Sequence, residues 1–464
     1  MSTHRQPTMP TKCSLAEMMR EATCPACAHH VAVSCFDGGR QPLTTLAWPS
    51  SRQAAQAMSR LPLDFVCCVS CGHVYNCQFD YTQVPYSDKP NLMFNRGQVW
   101  KEHLQRIVDL LLERLPDEPV VVEIGCGDGH LLAALAQSRP GGRYVGFDPH
   151  ATVSDESLAL AGLEVHHALF LPDEHLEVYR PHLIVSRHVL EHLTNPLGFL
   201  QSLTFAVSCT GEPTRLFIEV PCIDRVFETN RTSDFFYEHN SHFTTRSFER
   251  LLDRCTSKVE RIERGYNDEV IYGLARFEPQ SEQVAMARRA ADFAARTTRA
   301  NDTLRAALDE LGHSGRTIAI WGGTGKAAAF INQYGLDAAR FPLVVDSDAA
   351  KVGTFVPGTG QEIRPSAELL QTPVDAILIA TQWRARDIAL EMQHLGIRAD
   401  SVLLAHRERL IDYFRDTHPY GTLAQTLAAH SPVQSPVQPI PVWPNAMHTS
   451  GLGTPPFAGG TSGW

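Results

Sequence analysis

The chain has 464 residues, 43% hydrophobic and 20% charged, which is enough for about three domains and excludes a wholly disordered protein. Its 41 Lys and Arg against 51 Asp and Glu give a net charge of −10, which argues against dependence on nucleic-acid phosphates. No run approaches the roughly 20 apolar residues of a membrane helix, and residues 1–19 lack the apolar core of a secretion signal. We therefore expect a cytoplasmic protein with no membrane partner.

The N-terminal part contains two Cys-x-x-Cys pairs, Cys24/Cys27 and Cys68/Cys71. Zn²⁺ prefers four tetrahedral ligands, and each pair can supply two thiolates from one tight turn. Because cytosolic chains rarely build a disulfide framework, the alternative is four unrelated buried thiols. The pattern predicts a zinc-binding module over residues 21–99, with zinc in a structural role, after a flexible N-terminus over residues 1–20.

Residues 100–279 predict a central α/β domain, in which short apolar runs alternate with helical stretches. A predicted helix at 100–115 is followed by a predicted strand at 120–124, which runs directly into a Gly-Cys-Gly turn. The next strand ends at Asp148. Glycines let a ligand approach the backbone at a helix N-terminus, and an acid at this distance can accept hydrogen bonds from a ribose. The alternative is a purely structural strand-to-helix turn.

Residues 280–312 predict a helical connector, and residues 313–415 predict a second α/β domain with its own glycine-rich turn. An acid, Asp346, follows that turn about 20 residues later. Three interpretations stay open for the turn: a phosphate or substrate site, a structural turn, and a nicotinamide dinucleotide site. The Pro-, Gly- and Ser-rich residues 416–464 predict a disordered tail.

The strand and turn at 120–129 resemble motif I of class I S-adenosylmethionine (SAM)-dependent methyltransferases. The resemblance implies that Glu123 orients the methionine end of SAM and that Asp148 holds the ribose. It also implies that the turn itself packs against the cofactor, through Gly125, Cys126 and Gly127.

The segment 186–192 is similar to the one that follows the fourth strand in the same superfamily. That similarity implies that Arg187, at the end of the strand, lines the cofactor pocket. For Glu191 and His192, which come next, a chemical role and a solvated or structural role both stay open.

Zinc pairs, a SAM domain and a second Rossmann-like domain occur together in the sugar C-methyltransferases of deoxysugar biosynthesis. The chain resembles this family over about residues 24–414, through the motifs at 61–65, 321–326 and 357–363. In the family the C-terminal domain helps to enclose the substrate. The resemblance therefore implies substrate binding, through a diphosphate, at Gly322, Gly325 and Lys326.

Family members share a Tyr-His-Glu-His segment after the fifth strand, and it matches residues 236–239 here. The first position is Phe236, so the tyrosine lies one place later, at Tyr237. Removing a proton from a carbon beside a ketone needs a base, its partner and a donor to the enolate. The resemblance implies His239 as base, Glu238 as its orienter and Tyr237 as donor. The alternative is an aromatic loop that packs under the cofactor.

These features predict an α/β enzyme, a SAM-dependent C-methyltransferase that acts on a small keto substrate such as a nucleotide-linked deoxysugar by base-assisted in-line transfer. The expected cofactors are SAM and structural Zn²⁺, and no nucleic-acid partner is expected. The alternatives are an O- or N-methyltransferase on another small molecule, a zinc-containing RNA methyltransferase or RNA-binding protein, and a non-catalytic scaffold. At 267–272 the chain departs from the Gly-Gly-Ser-Leu-Arg segment common in the family. The oligomeric state is left open.

Overall fold

The computed structural model describes residues 16–46, 48–84, 97–153 and 162–421. Most of the predicted flexible N-terminus (residues 1–15) and of the predicted disordered tail (residues 422–464) lies outside the described residues. The chain forms two compact units, Met1–Ala291 and Asp292–Trp464. None of the helices in the described ranges is long and apolar enough to cross a membrane.

In chain order, the strands are β1 Met19–Glu21, β2 Val31–Gln41, β3 Leu61–Cys68, β4 Val74–Asn76, β5 Val120–Ile124, β6 Arg143–Phe147, β7 Leu163–His166, β8 Leu183–Arg187, β9 Thr214–Pro221, β10 Ser241–His242, β11 Lys258–Gly265, β12 Val270–Phe277, β13 Ile318–Trp321, β14 Leu343–Asp346, β15 Ile363–Pro365, β16 Ala376–Ile379, β17 Ser401–His406 and β18 Arg409–Asp412.

The α-helices of the described residues are α1 Arg52–Gln56, α2 Gln98–Leu112, α3 His130–Ser138, α4 Pro172–Tyr179, α5 Pro196–Thr210, α6 Asp224–Thr229, α7 Thr245–Cys255, α8 Ser281–His313, α9 Lys326–Tyr334 and α10 Ala385–Leu395. Short 3-10 helices span Tyr81–Gln83, Leu190–His192, Ser366–Leu370 and Gln382–Arg384. The helix predicted at 100–115 is confirmed as α2, and α8 matches the predicted helical connector.

The central domain is built on a seven-stranded sheet with the order β11-β12-β9-β8-β5-β6-β7. Strands β5 to β9 run parallel, whereas β12 is antiparallel to both of its neighbours. Val121 and Val122 of β5 are buried in hydrophobic clusters, as expected for strands covered on both faces. The strand order reverses beside β5, and ligands of open α/β sheets bind at the carboxyl ends of strands at such a point. The predicted α/β fold is confirmed, and its glycine turn lies at this edge.

The cysteine-containing module is a second sheet, with the order β1-β2-β3-β4-β10. Its last strand, β10, comes from the central domain and pairs with β4 through Ser241 opposite Tyr75 and His242 opposite Val74. The sequence predicted a separate N-terminal module and gave no indication of this shared sheet. The pairing ties the segment that contains His239 to the N-terminal module.

The side chain of Glu238 makes a second connection to the N-terminal module. Its Oε1 accepts hydrogen bonds from the backbone N–H groups of Thr44, Thr45 and Leu46 at 2.7, 2.8 and 3.2 Å. The side chain is fully buried. A buried carboxylate needs several donors to replace water, and here the backbone of one short loop supplies them.

The second unit contains a six-stranded sheet with the order β15-β14-β13-β16-β17-β18. All neighbours are parallel except the pair β17 and β18. The glycine-rich turn follows β13 and leads into α9. This turn again lies at the carboxyl edge where the strand order reverses.

Glu238→Met is expected to lower the free energy of unfolding by about 3 kcal/mol, because three backbone N–H groups lose a charged acceptor. Glu238→Gln keeps a neutral acceptor and should cost about 1 kcal/mol. Urea unfolding followed by circular dichroism measures both. Glu212→Gln, in an exposed ion pair with Arg180, is the control and should change stability by less than about 1 kcal/mol. If Glu238→Met is as stable as this control, the anchoring role is wrong.

Candidate functional site

The turn after β5 brings a glycine backbone to the carboxyl edge of the sheet. Gly125, Gly127 and Gly129 have φ values of +76°, +54° and +71°, which side chains rarely adopt. A Cβ added to Gly125 would lie 2.3 Å from Cγ2 of Val189, whereas one added to Gly127 would meet no described atom within 4 Å. The turn is therefore closed towards Val189 and open at Gly127, where a ligand can approach the backbone.

Two acids flank this turn as the sequence predicted. Asp148 accepts hydrogen bonds from the N–H of Gly127 at 3.0 Å and from the N–H of His150 at 2.8 Å. Glu123 is only 3% exposed, and its Oε2 accepts no hydrogen bond from the described residues. Burial, opposed by Arg187, raises the pKa of Glu123 to about 8.

The unsatisfied carboxylate and the glycine cradle fit the cofactor that the sequence implies. A buried acceptor such as Oε2 of Glu123 calls for a donor group, and the ammonium of SAM is one. Cys126 contributes backbone only, because its side chain packs into the core against Gly146.

Arg187 lies beside the predicted cofactor turn, and other protein groups hold its guanidinium. Its guanidinium donates to Oε1 of Glu219 from Nε at 3.0 Å and from Nη2 at 2.8 Å, and it lies 5.1 Å from the centre of the Trp100 ring. A direct contact with the cofactor therefore stays a prediction. The guanidinium and Glu219 form part of a buried charged network that the sequence analysis missed.

Glu219 is the centre of this network. It is fully buried on β9, and His103 and His188 approach its carboxylate at 2.5 and 3.2 Å. Burial raises the pKa of Glu219. Arg187 and the two imidazoles outweigh burial and hold that pKa well below its usual range. Burial lowers the pKa of His188, but the neighbouring carboxylates of Glu191 and Glu219 outweigh burial and raise that pKa. No spacing in the sequence pointed to this network, because its members come from three separate elements.

A second cluster joins Glu191, His192 and His239. One ligand-type atom from each side chain lies within 4.8 Å of the others. The rings of His192 and His239 have their centres 4.8 Å apart, and His239 also packs against Phe236 at 4.2 Å. Burial and the neighbouring imidazoles hold the pKa of His239 well below its usual range. Glu191, whose role the sequence left open, therefore lies beside His239, the predicted base.

The three residues predicted to share the proton chemistry do not lie together. His239 belongs to the cluster just described, whereas Oε1 of Glu238 is bound by the backbone of residues 44–46. The Tyr237 hydroxyl accepts a hydrogen bond from the N–H of Asp80 at 2.8 Å and is only 1% exposed. The geometry supports anchoring roles for Glu238 and Tyr237, so their predicted catalytic roles stay predictions.

The four cysteines of the two Cys-x-x-Cys pairs converge as predicted. Sγ of Cys24 lies 3.7 Å from Sγ of Cys71, and Sγ of Cys27 lies 3.6 Å from Sγ of Cys68. Sulfur ligands at about 2.3 Å from a tetrahedral Zn²⁺ lie about 3.8 Å apart. The donor set and its spacing are therefore compatible with zinc, although the first pair comes from a loop before β2 and the second from the end of β3 and the turn after it.

In the second unit, Gly322 and Gly325 have φ values of +105° and +60°, and Lys326 begins helix α9. A cavity of about 390 Å³ lies along α9 and the carboxyl ends of β16 and β17. Nζ of Lys326, at one end of the cavity lining, lies 5.6 Å from the centre of the exposed Trp383 ring. A basic group beside an aromatic face suits an anionic ligand with a planar ring.

Asp346 follows this second turn, but its carboxylate is paired with the side chain of Lys351. Both carboxylate oxygens of Asp346 lie 3.4 Å from Nζ of Lys351, and Oδ2 also accepts from the N–H of Gly323 at 3.2 Å. A dinucleotide site would need this acid for a ribose. The arrangement favours the phosphate or substrate interpretation over a nicotinamide dinucleotide site.

Glu123→Gln is expected to stabilise the SAM-free protein increasingly as the pH rises. The folded-state pKa of Glu123 is about 8 and the reference value is 4.5, so the folded state holds a proton that the unfolded state releases. The stability contributed by that proton is present below about pH 4.5 and is lost as the pH rises to about 8. Thermal unfolding between pH 5 and 8.5 should show a growing difference in midpoint between the variant and the wild type. Parallel curves would refute the buried-proton interpretation, and Glu228→Gln, on the exposed face of α6, is the control.

Comparisons with solved structures find similarity over 38% to 40% of the chain. The methyltransferase domain of bacterial CtHen1 is 15% identical with a TM-score of 0.30, over 38% of this chain and 99% of that chain. A putative methyltransferase in complex with the Trm112 activator of Haloferax volcanii is 13% identical with a TM-score of 0.31, over 39% and 92%. Magnesium protoporphyrin IX methyltransferase from Synechocystis PCC 6803, with bound SAH, is 15% identical with a TM-score of 0.29, over 40% and 90%.

Family models match two consecutive parts of the chain. A methyltransferase domain matches residues 96–255, and a C-methyltransferase C-terminal domain matches residues 259–402. Neither match includes the cysteine cluster, and no curated protein matches the chain. The chain is therefore a methyltransferase in which a methyltransferase domain is followed by a C-methyltransferase C-terminal domain.

Proposed function

We propose that this methyltransferase uses SAM to methylate a carbon beside a carbonyl group in a small molecule such as a nucleotide-linked deoxysugar. The observation that carries the proposal is that Val189, two residues before Glu191 in the chain, packs on Gly125 of the predicted cofactor turn. Val189 packs directly on Gly125, and the next turn of chain carries Glu191 and His192. A cofactor at the turn and a proton acceptor for the substrate would then lie side by side.

In the proposal, Glu123 and Asp148 hold the two ends of the cofactor on either side of the glycine turn. When bound, SAM supplies an electrophilic methyl group on a sulfonium. The buried carboxylate of Glu123 accepts hydrogen bonds from the ammonium of the cofactor, and Asp148 accepts from its ribose while keeping its bond to Gly127.

His239 takes the proton from the substrate carbon, and the electron pair left on that carbon forms an enolate. The enolate carbon would then form its bond to the methyl group in line, as the methyl–sulfur bond of SAM breaks and its electron pair stays on sulfur, which leaves a neutral thioether. The acid beside His239 in this geometry is Glu191, so we assign Glu191 the orienting role that the resemblance implied for Glu238. Glu238 acts through the backbone, because it anchors the segment that carries His239.

The groove in the second unit supports a nucleotide-linked acceptor. Lys326 and the glycine turn suit a diphosphate, and the exposed face of Trp383 suits a nucleobase. The ion pair between Asp346 and Lys351 leaves the acid less suited to a cofactor ribose. The four-cysteine cluster holds a structural Zn²⁺ that stabilises the sheet in which β10 pairs with β4.

His239→Asn is expected to lower the rate of methyl transfer by about 100-fold or more, the usual effect of losing a general base. Methyl-labelled SAM and a panel of nucleotide-linked keto sugars provide the assay, and NMR of the product should show the methyl group on carbon. SAM affinity measured by calorimetry should not change. The matched control is His394→Gln, an exposed histidine of α10. Methyl on oxygen or nitrogen, or full activity of His239→Asn, would contradict the proposal.

Cys71→Ser is expected to abolish stoichiometric zinc in the purified protein and to lower its unfolding temperature, because a closed four-thiolate site contributes directly to folding. Cys209→Ser changes an exposed thiol and should leave both quantities unchanged. Elemental analysis and thermal unfolding measure the effects. Wild-type protein that contains no zinc and unfolds at the same temperature as the Cys71→Ser variant would exclude a structural zinc.

A further inference from the structure

Glu191 is a buried carboxylate whose hydrogen-bonding capacity is unused. The residue is 1% exposed, and neither of its carboxylate oxygens accepts a hydrogen bond from the described part of the chain. The nearest cationic group is Nδ1 of His188 at 3.5 Å, beyond good hydrogen-bond geometry. A buried carboxylate that accepts no hydrogen bond and has one imidazole at 3.5 Å as its ion-pair partner is poorly compensated for its lost water, so it points to a ligand.

Two imidazoles face the same point as this carboxylate. Glu191, His192 and His239 each place a ligand atom within 4.8 Å of the other two. Ligands of a first-row metal ion lie about 3 to 4 Å apart, so small side-chain rotations bring all three onto one ion.

The tautomer of His192 is set by the backbone. Nδ1 lies 2.8 Å from the carbonyl oxygen of Glu238, and a carbonyl can only accept, so Nδ1 carries the hydrogen. The lone pair is therefore on Nε2. Metal-binding histidines usually have this arrangement, in which the second nitrogen donates to a carbonyl or carboxylate. Asn240 also donates to the carbonyl of His192 at 2.9 Å, which fixes the two segments against each other.

We propose that Glu191, His192 and His239 bind a divalent transition-metal ion. Two imidazoles and one carboxylate are a donor set that suits Mn²⁺, Fe²⁺, Co²⁺ or Zn²⁺ and leaves coordination positions open. The site differs from the four-cysteine cluster in chemistry, because its nitrogen and oxygen donors accept Mn²⁺, which thiolates bind weakly.

Metal binding and methyl transfer use the same lone pair of His239. A metal ion on His239 removes the base that takes the substrate proton, so the ion and the substrate compete. This part of the inference rests on the proposed function, whereas the metal site itself does not.

Mn²⁺ electron paramagnetic resonance on the full-length protein, with its zinc content unchanged, tests the site. The wild type should bind one Mn²⁺ per chain, and Glu191→Gln and His239→Asn should each weaken binding about tenfold or more. Glu164→Gln is the matched control, since Glu164 lies 2.7 Å from His166 but belongs to no three-ligand group in the described residues. Circular dichroism and zinc content show whether each variant is folded, and either ligand variant suffices if the other does not fold.

The site is overturned if the wild type binds no Mn²⁺ or Co²⁺, or if both ligand variants bind as the control does. Competition predicts that Mn²⁺ inhibits methyl transfer and that EDTA restores it, and a rise in rate with Mn²⁺ would overturn that part. If His239→Asn keeps full methyl transfer, the base assignment fails while the Mn²⁺ measurement still decides the site.

Discussion

The pairing of β10 with β4 is the constraint on which the candidate site depends. Two residues of the central domain complete the sheet of the N-terminal module, and the carboxylate of Glu238 binds the backbone of that module a few residues earlier. His239 lies between these two attachments. Its ring is therefore held against His192, and the N-terminal module supports the segment that carries this predicted base.

Charge burial at the carboxyl edge of the seven-stranded sheet distinguishes this region from the rest of the core. Glu219 is satisfied there by Arg187 and two imidazoles, whereas Glu123 and Glu191 each have oxygens without a hydrogen bond from the described residues. Buried polar groups are normally satisfied within the protein, so the exceptions mark places where a ligand completes the structure. Glu123 precedes Gly125 at the end of β5, and Glu191 follows Val189, which packs on Gly125.

The two α/β units repeat one local design with different chemistry. Each has a strand, a glycine turn, a helix and an acid at the end of the next strand. In the first unit, the hydrogen bonds that the Asp148 carboxylate accepts from the described residues come from backbone N–H groups, whereas in the second unit Lys351 forms an ion pair with Asp346. A ribose would meet an accepting carboxylate at the first turn and an ion pair at the second. The same motif therefore does not imply the same ligand.

The sequence alone determined the α/β class, the convergence of the four cysteines and the glycine turn with Glu123 and Asp148. These features are local, because hydrophobic period, Cys-x-x-Cys spacing and the demand for positive φ are set by neighbouring residues. Only the tertiary structure decided which acid lies beside His239. Glu238 is its neighbour in the chain, yet residues 236–239 form a turn, closed by a hydrogen bond from the N–H of His239 to the carbonyl of Phe236, and the Glu238 carboxylate binds residues 44–46 instead. Glu191 lies 48 residues before His239 in the chain. It reaches the imidazole because Glu191 follows β8 and His239 follows β9, and these two parallel strands end at the same edge of one sheet.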